Sequence, residues 1–178
     1  MNRQFPWILV AAGTACAPAF AVEYLSVEQA QGIMFPDASA FRPREVALDT
    51  AQMQQVASLA GVAARSVRWR VVAAFKGETP IGYVVLDEVV GKFELISYAV
   101  AIDLDARVRQ VEILSYRESH GGEIRNAAWR QQFTGKRAES GMALGEGIAN
   151  ISGATLSCTH VTDGVRRIAA VAQVALTK

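Results

Sequence analysis

The chain is poor in the residues that build metal clusters. It has two cysteines and two histidines in 178 residues, too few for a zinc cluster or a protein-ligated iron–sulfur centre. It lacks an excess of charge of either sign, with Lys and Arg numbering 18 against 17 for Asp and Glu. Without a basic face, nucleic acid is not expected as a partner. Charged residues make up 20% and apolar residues 51%, a balance that argues against disorder and supplies the core of one domain. The sequence has no internal repeat and no low-complexity tract. A membrane-length apolar run is missing too. The nearest stretch, roughly residues 5–20, is short and is broken by Pro6, Gly13 and Pro18.

That stretch has another reading. Arg3 gives a basic start, the apolar run follows, and Ala19-Phe20-Ala21 puts small residues where a signal peptidase reads. We therefore expect a signal peptide over residues 1–21, export to the periplasm, and a mature domain over 22–178. An uncleaved N-terminal membrane anchor is the alternative. A lipoprotein at Cys16 is disfavoured, because Gly13-Thr14-Ala15-Cys16 lacks a large aliphatic residue at its start. Loss of the leader lowers the basic count from 18 to 17, against 17 acidic residues. It also leaves Cys158 alone, so packing and not a disulfide must hold the mature domain together.

Patterning predicts an α+β domain: an antiparallel β-sheet meander flanked by helices, with a long C-terminal helix. The N-terminal part, about 22–66, reads as helical. Ser26 can cap a helix from about Val27 to Phe35, and Asp49 or Thr50 one that ends before Gly61. Residues from Pro36 to Pro43 read as loop. In the core, about 67–178, Val67, Trp69 and Val71 alternate with Arg68 and Arg70, which is a strand signature. Runs at Gly82–Val90, Leu95–Ile102 and Val108–Leu114 continue the meander. Asn126 can cap a short helix that puts Trp129 and Phe133 on one face, and residues 137–149 read as loop. Cys158, Val161, Val165, Ile168 and Ala172 then form one apolar stripe of a helix that starts near Ser152 to Thr155 and runs to about Ala175.

The start of that helix is where chemistry is expected. A helix N-terminus exposes unpaired N–H groups and a positive dipole end, a ready place for a phosphate. Gly153 lets a phosphate approach the backbone, and Ser152, Thr155 and Ser157 add hydroxyls within a turn. The same residues also suit a plain helix cap. Ser152-Gly153-Ala154-Thr155, followed by Leu156-Ser157, resembles the SGAT segment of the FMN-binding domain family. That family includes the flavoprotein subunits of the Rnf and sodium-pumping NADH:quinone oxidoreductase complexes. Glu118-Ser119-His120-Gly121-Gly122 resembles its ETPG-type stretch, and Trp129-Arg130-Gln131-Gln132-Phe133 its W-x-x-Q-F segment. The resemblance runs from about Gly82 to Val174 and is nearest to small stand-alone periplasmic members.

The resemblance implies FMN joined covalently by a phosphoester to Thr155, with the phosphate at the N-terminus of the last helix. It implies a flavin transferase for maturation, with FAD as donor, and a membrane or periplasmic redox partner. Ser152, Gly153, Ala154 and Ser157 would surround the phosphate, and Glu118, Ser119, His120, Gly121 and Gly122 would border the flavin ring. Glu118, His120 and Glu123 are candidates to tune its potential. Trp129 and Phe133 either stack on the ring or pack a helix face. Two positions depart from the pattern. Ala149 stands where the family usually has Asp six residues before the threonine, which bears on how readily a transferase reads this segment. His120 replaces a usual proline, which changes the loop. Cys158 reads as buried and inert, and His160 as exposed, without a metal partner. The expected role is an electron carrier. A small periplasmic FMN-dependent reductase and a flavin-free binding module of the same fold remain open.

Overall fold

The computed structural model describes residues 24–177, so the expected leader lies outside the described residues. Helix α1 (Val27–Met34) starts at a capping box: the Ser26 side chain accepts from the Gln29 N–H, and the Gln29 side chain accepts from the Ser26 N–H. Helix α2 (Thr50–Ala60) repeats the device with Asp49 and Gln52. It ends at Gly61, whose φ of 65° is the left-handed turn that glycine adopts without strain.

Five strands form one antiparallel sheet in sequence order: β1 (Ala40–Ala47), β2 (Arg68–Lys76), β3 (Thr79–Val90), β4 (Leu95–Ile102) and β5 (Val108–Tyr116). The register sets Val71, Val85, Val100 and Val111 in a row across the sheet, all buried on the main core face. Helix α4 (Thr155–Ala175) lies on that face. Its stripe of Cys158, Val161, Val165, Ile168 and Ala172 is fully buried, as the spacing predicts. Gly164 lets α4 come close to β4, since a Cβ there would sit 1.8 Å from the Tyr98 hydroxyl oxygen. On the other face α1 and Phe35 cover Ala74, Val84, Ala99 and Ala101.

The architecture is therefore α+β as expected, with three local differences. Residues 40–43, expected as loop, belong to β1, and Pro43 pairs opposite Val72. Because β1 is an edge strand, the missing proline N–H costs no ladder bond that a neighbour needs. The single helix expected after Asn126 is one turn of helix α3 (Ala127–Arg130) and a 3-10 turn (Gln131–Phe133), and a further 3-10 turn (Gly122–Arg125) precedes Asn126. Asn126 occupies the cap position of α3 without a side-chain cap bond. The expected loop 137–149 contains two two-residue strands, β6 (Ala143–Leu144) and β7 (Gly147–Ile148), paired in parallel. No helix among the described residues is long and apolar enough to cross a membrane.

Candidate functional site

Three segments meet at the N-terminal end of α4: the β3–β4 turn at residues 91–94, the loop after β5 at residues 117–122, and residues 149–157. They enclose a cavity of about 420 Å³ lined by Lys92, Phe93, Glu118, Ser119, His120 and Gly153 through Ser157. A second cavity of about 600 Å³ shares Glu118, Ser119 and His120 and extends past Gly121, Gly122 and Glu123 to Tyr24 and Ser152.

No side chain caps α4. Its cap position is held by Ala154, and no hydroxyl accepts from the first-turn amides. Ser152 is exposed and lies outside the helix. The expected alternative role of this segment, a plain serine or threonine cap, is therefore absent, and the helix end keeps its donors and its positive dipole. Thr155 is exposed at the first position of α4, and its Oγ1 accepts a hydrogen bond of 3.1 Å from Asn150 Nδ2. Gly153 has a φ of 79° and open space where a Cβ would stand, so conformation and not crowding demands glycine there. Ala154 is buried against Gly121. A Cβ on Gly121, whose φ is 83°, would lie 2.0 Å from the Ala154 Cβ. Ser157 is buried, with the Tyr116 hydroxyl 3.4 Å from its Oγ.

Glu118 does something the sequence did not suggest. Its Oε1 accepts from three consecutive backbone amides, those of Lys92, Phe93 (2.6 Å) and Glu94 (3.0 Å). Burial opposes the charged form, but these amides and the Lys92 charge outweigh it and hold the carboxyl below its ordinary range. Glu118 thus ties the β3–β4 turn to the loop after β5 and is not free as an acid or base at neutral pH. Gly91 makes room for the tie, since a Cβ there would sit 2.5 Å from Glu118 Oε1. Ser119 and His120 are exposed, with Oγ and Nδ1 3.1 Å apart. Gly122 opens the 3-10 turn, and its carbonyl accepts from Arg125 Nε at 3.0 Å. Glu123 is exposed on the second cavity.

Trp129 and Phe133 belong to the core. Both are buried and meet edge to face, 5.2 Å between ring centroids. Trp129 also holds the site from behind. Its indole N–H donates to the Ala149 carbonyl at 2.8 Å, and Gln132 Oε1 accepts from the Ala149 N–H at 2.7 Å. The Trp and Gln of the W-x-x-Q-F segment thus grip one residue, six before Thr155, through its backbone alone. The Ala149 side chain is left at the surface.

Cys158 is fully buried, and burial raises its thiol pKa, so it is a core residue. His160, expected to be exposed, is half-buried with Nδ1 2.5 Å from the Val90 carbonyl. The pattern of α4 assigned it correctly to the non-core side but could not show that the end of β3 covers that side.

Sequence reasoning missed Lys92, Phe93 and Leu156. Phe93 is 74% exposed and Leu156 48%. Both line the cavity, and Lys92 brings its cation. The available signal was an aromatic residue at the tip of a hairpin, where nothing in a core needs one. Together the residues fit FMN: uncapped amides and one lysine for a phosphate, two exposed apolar side chains for a flat ring. Among the described residues no cluster of His, Cys, Asp or Glu could hold a metal.

Residues 91–170 match the family model for the FMN-binding domain. No curated protein matches the chain. The match begins at the turn that Glu118 clasps and takes in β4, β5, the 117–122 loop and the first three-quarters of α4, so the chain carries a domain of the FMN-binding family and is a flavin-binding protein.

Proposed function

We propose that this protein is a periplasmic electron carrier whose FMN is bound covalently through a phosphoester on Thr155. The observation that carries the reading is the exposed Thr155 hydroxyl on an uncapped helix end that opens into the cavity. Maturation is by a flavin transferase with FAD as donor. Thr155 Oγ1 bonds to the FMN phosphorus, the pyrophosphate bond of FAD breaks, AMP leaves, and the hydroxyl proton passes to solvent.

The poverty of the cavity favours a covalent bond. Among the described residues Lys92 is the only lysine or arginine lining it, little for holding a dissociable dianion in a compartment that does not resupply it. When bound, FMN supplies the redox chemistry, and the protein need only place the ring and set its potential. Phe93 and Leu156 offer the ring apolar contact, and the exposed His120 stands in the same lining. With Glu118 committed to three amides, the lining among the described residues offers a substrate no free carboxylate. That favours electron transfer with a membrane or periplasmic redox partner over a reductase reaction.

The test is an intact mass of the mature protein after coexpression with a flavin transferase. The expected result is an FMN-sized increment and a yellow colour that survives acid precipitation. Thr155→Ala should fold and lose both. A colourless native protein with the mass of its amino acids alone would overturn the reading. Absence of the N-terminal residues 1–21 from the same spectrum tests export.

A further inference from the structure

A cavity of about 280 Å³ lies on the far side of the β3–β4 turn, lined by Arg65, Val89, Val90, His160, Asp163 and Arg167. Its lining shares no residue with either cavity at the start of α4, so it is separate from the flavin site. Arg167 is only 5% exposed. Its Nε donates to the Ala63 carbonyl at 2.7 Å, and its Nη1 is buried without a partner.

A buried guanidinium normally has an anion beside it, because it cannot shed its proton to escape burial. Arg130 follows that rule, with Glu112 as its partner. Arg167 makes no ion pair among the described residues. The carboxylates that act on it are both engaged elsewhere: Asp87 accepts from the Tyr98 hydroxyl at 2.6 Å, and Asp163 faces Arg166 at 3.6 Å. Burial pulls the Arg167 pKa down, the mark of a cation whose desolvation is not offset.

The walls define what is missing. Arg65 is exposed at the mouth and adds a second guanidinium. Val89, on the face of β3 that packs toward α4, gives an apolar side, and Val90 lends its backbone, since its side chain alternates to the opposite face. Arg65, Arg166 and Arg167 against Asp87 and Asp163 leave room for one negative charge, and Asp163 repels a second. His160 donates its Nδ1–H to the Val90 carbonyl, because a carbonyl can only accept.

We propose that this cavity binds a short-chain monocarboxylate, with its carboxylate between Arg65 and Arg167 and its hydrocarbon toward Val89. The planar two-oxygen head matches the guanidinium fork, and the single charge distinguishes it from a phosphate dianion. The proposal does not depend on the flavin assignment.

The test uses the full mature protein, isotope-labelled, titrated with sodium acetate and sodium butyrate at constant ionic strength against sodium chloride. The Arg167 Nε–Hε resonance, the methyl signals of Val89 and the amide signal of Val90 report the site. The expected result is a saturable shift of all three, with butyrate binding tighter than acetate and both raising the melting temperature. Replacing Arg167 risks the fold, so the variants are Arg65→Ala, expected to weaken binding about tenfold, and Asp163→Asn, expected to tighten it. A shift that does not saturate, a Kd unchanged in Arg65→Ala, or a response to inorganic phosphate in place of carboxylate would each overturn the proposal.

Discussion

The first turn of α4 and the rest of that helix follow different rules. From Ser157 to Ala172 the helix is built to stay: its stripe is fully buried, and Gly164 brings it against Tyr98. At Thr155 and Leu156 the same helix is exposed, uncapped and open to a cavity. The body of α4 supplies stability, and the first turn stands on it with its backbone donors unspent. Substitutions should therefore separate fold from function along one helix.

The largest effect on stability is expected from Ile168→Ala. Ile168 is fully buried in the main core, so the change removes apolar burial and leaves a cavity, at a cost of about 2–5 kcal/mol. Denaturant unfolding measures it. The fraction of folded protein that takes up FMN at the proposed Thr155 site should not change. Gly164→Ala comes next. The added methyl meets the Tyr98 hydroxyl, which is itself held by Asp87 at 2.6 Å. Overpacking of this kind costs about 1–3 kcal/mol, partly offset by the better helix propensity of alanine. A variant as stable as the parent would mean that α4 and β4 are less closely packed than described. Trp129→Phe is smaller, about 1 kcal/mol, because it removes one hydrogen bond to the Ala149 carbonyl and keeps an aromatic in the core. Its sharper readout is the rate of flavin attachment. That rate should fall, because residues 149–155 lose half of the grip that aligns them.

The same division explains what could be read in the sequence. The body of α4 and strands β2 to β5 declare themselves by period, because each buries one face and the apolar residues recur accordingly. Strand β1 does not. Its Arg42-Pro43-Arg44-Glu45 center is what an edge strand uses against unwanted pairing, and it reads as loop. Thr155, Gly153 and the 118–122 loop were legible through short motifs. The Glu118 tie was not, since its partners are backbone amides 24 to 26 residues away, and an amide has no signature in sequence. Arg167 was hidden for a related reason. The pattern of α4 put it off the stripe, but Ala63 and the end of β3 come from elsewhere in the chain to bury it.

The smallest effect concerns the tie itself, and it depends on pH. The folded state holds the Glu118 carboxyl below its ordinary range. A group depressed in this way contributes its stability above the unfolded pKa, about 4.3 for a glutamate, and loses it as pH falls through the lower folded value. At neutral pH the tie is therefore complete. Below about pH 4 a proton on Glu118 competes with the amides of Lys92, Phe93 and Glu94, and the β3–β4 turn with Phe93 should loosen while the sheet stays folded. Hydrogen exchange of those three amides, corrected for its intrinsic pH dependence, should show protection falling in that window and not above it. Glu118→Gln keeps an oxygen that can accept but has no proton to gain. It should lower protection modestly at neutral pH and remove the acid response. If the parent keeps full protection well below the carboxylate range, or if the glutamine variant titrates like the parent, some group other than Glu118 holds the turn.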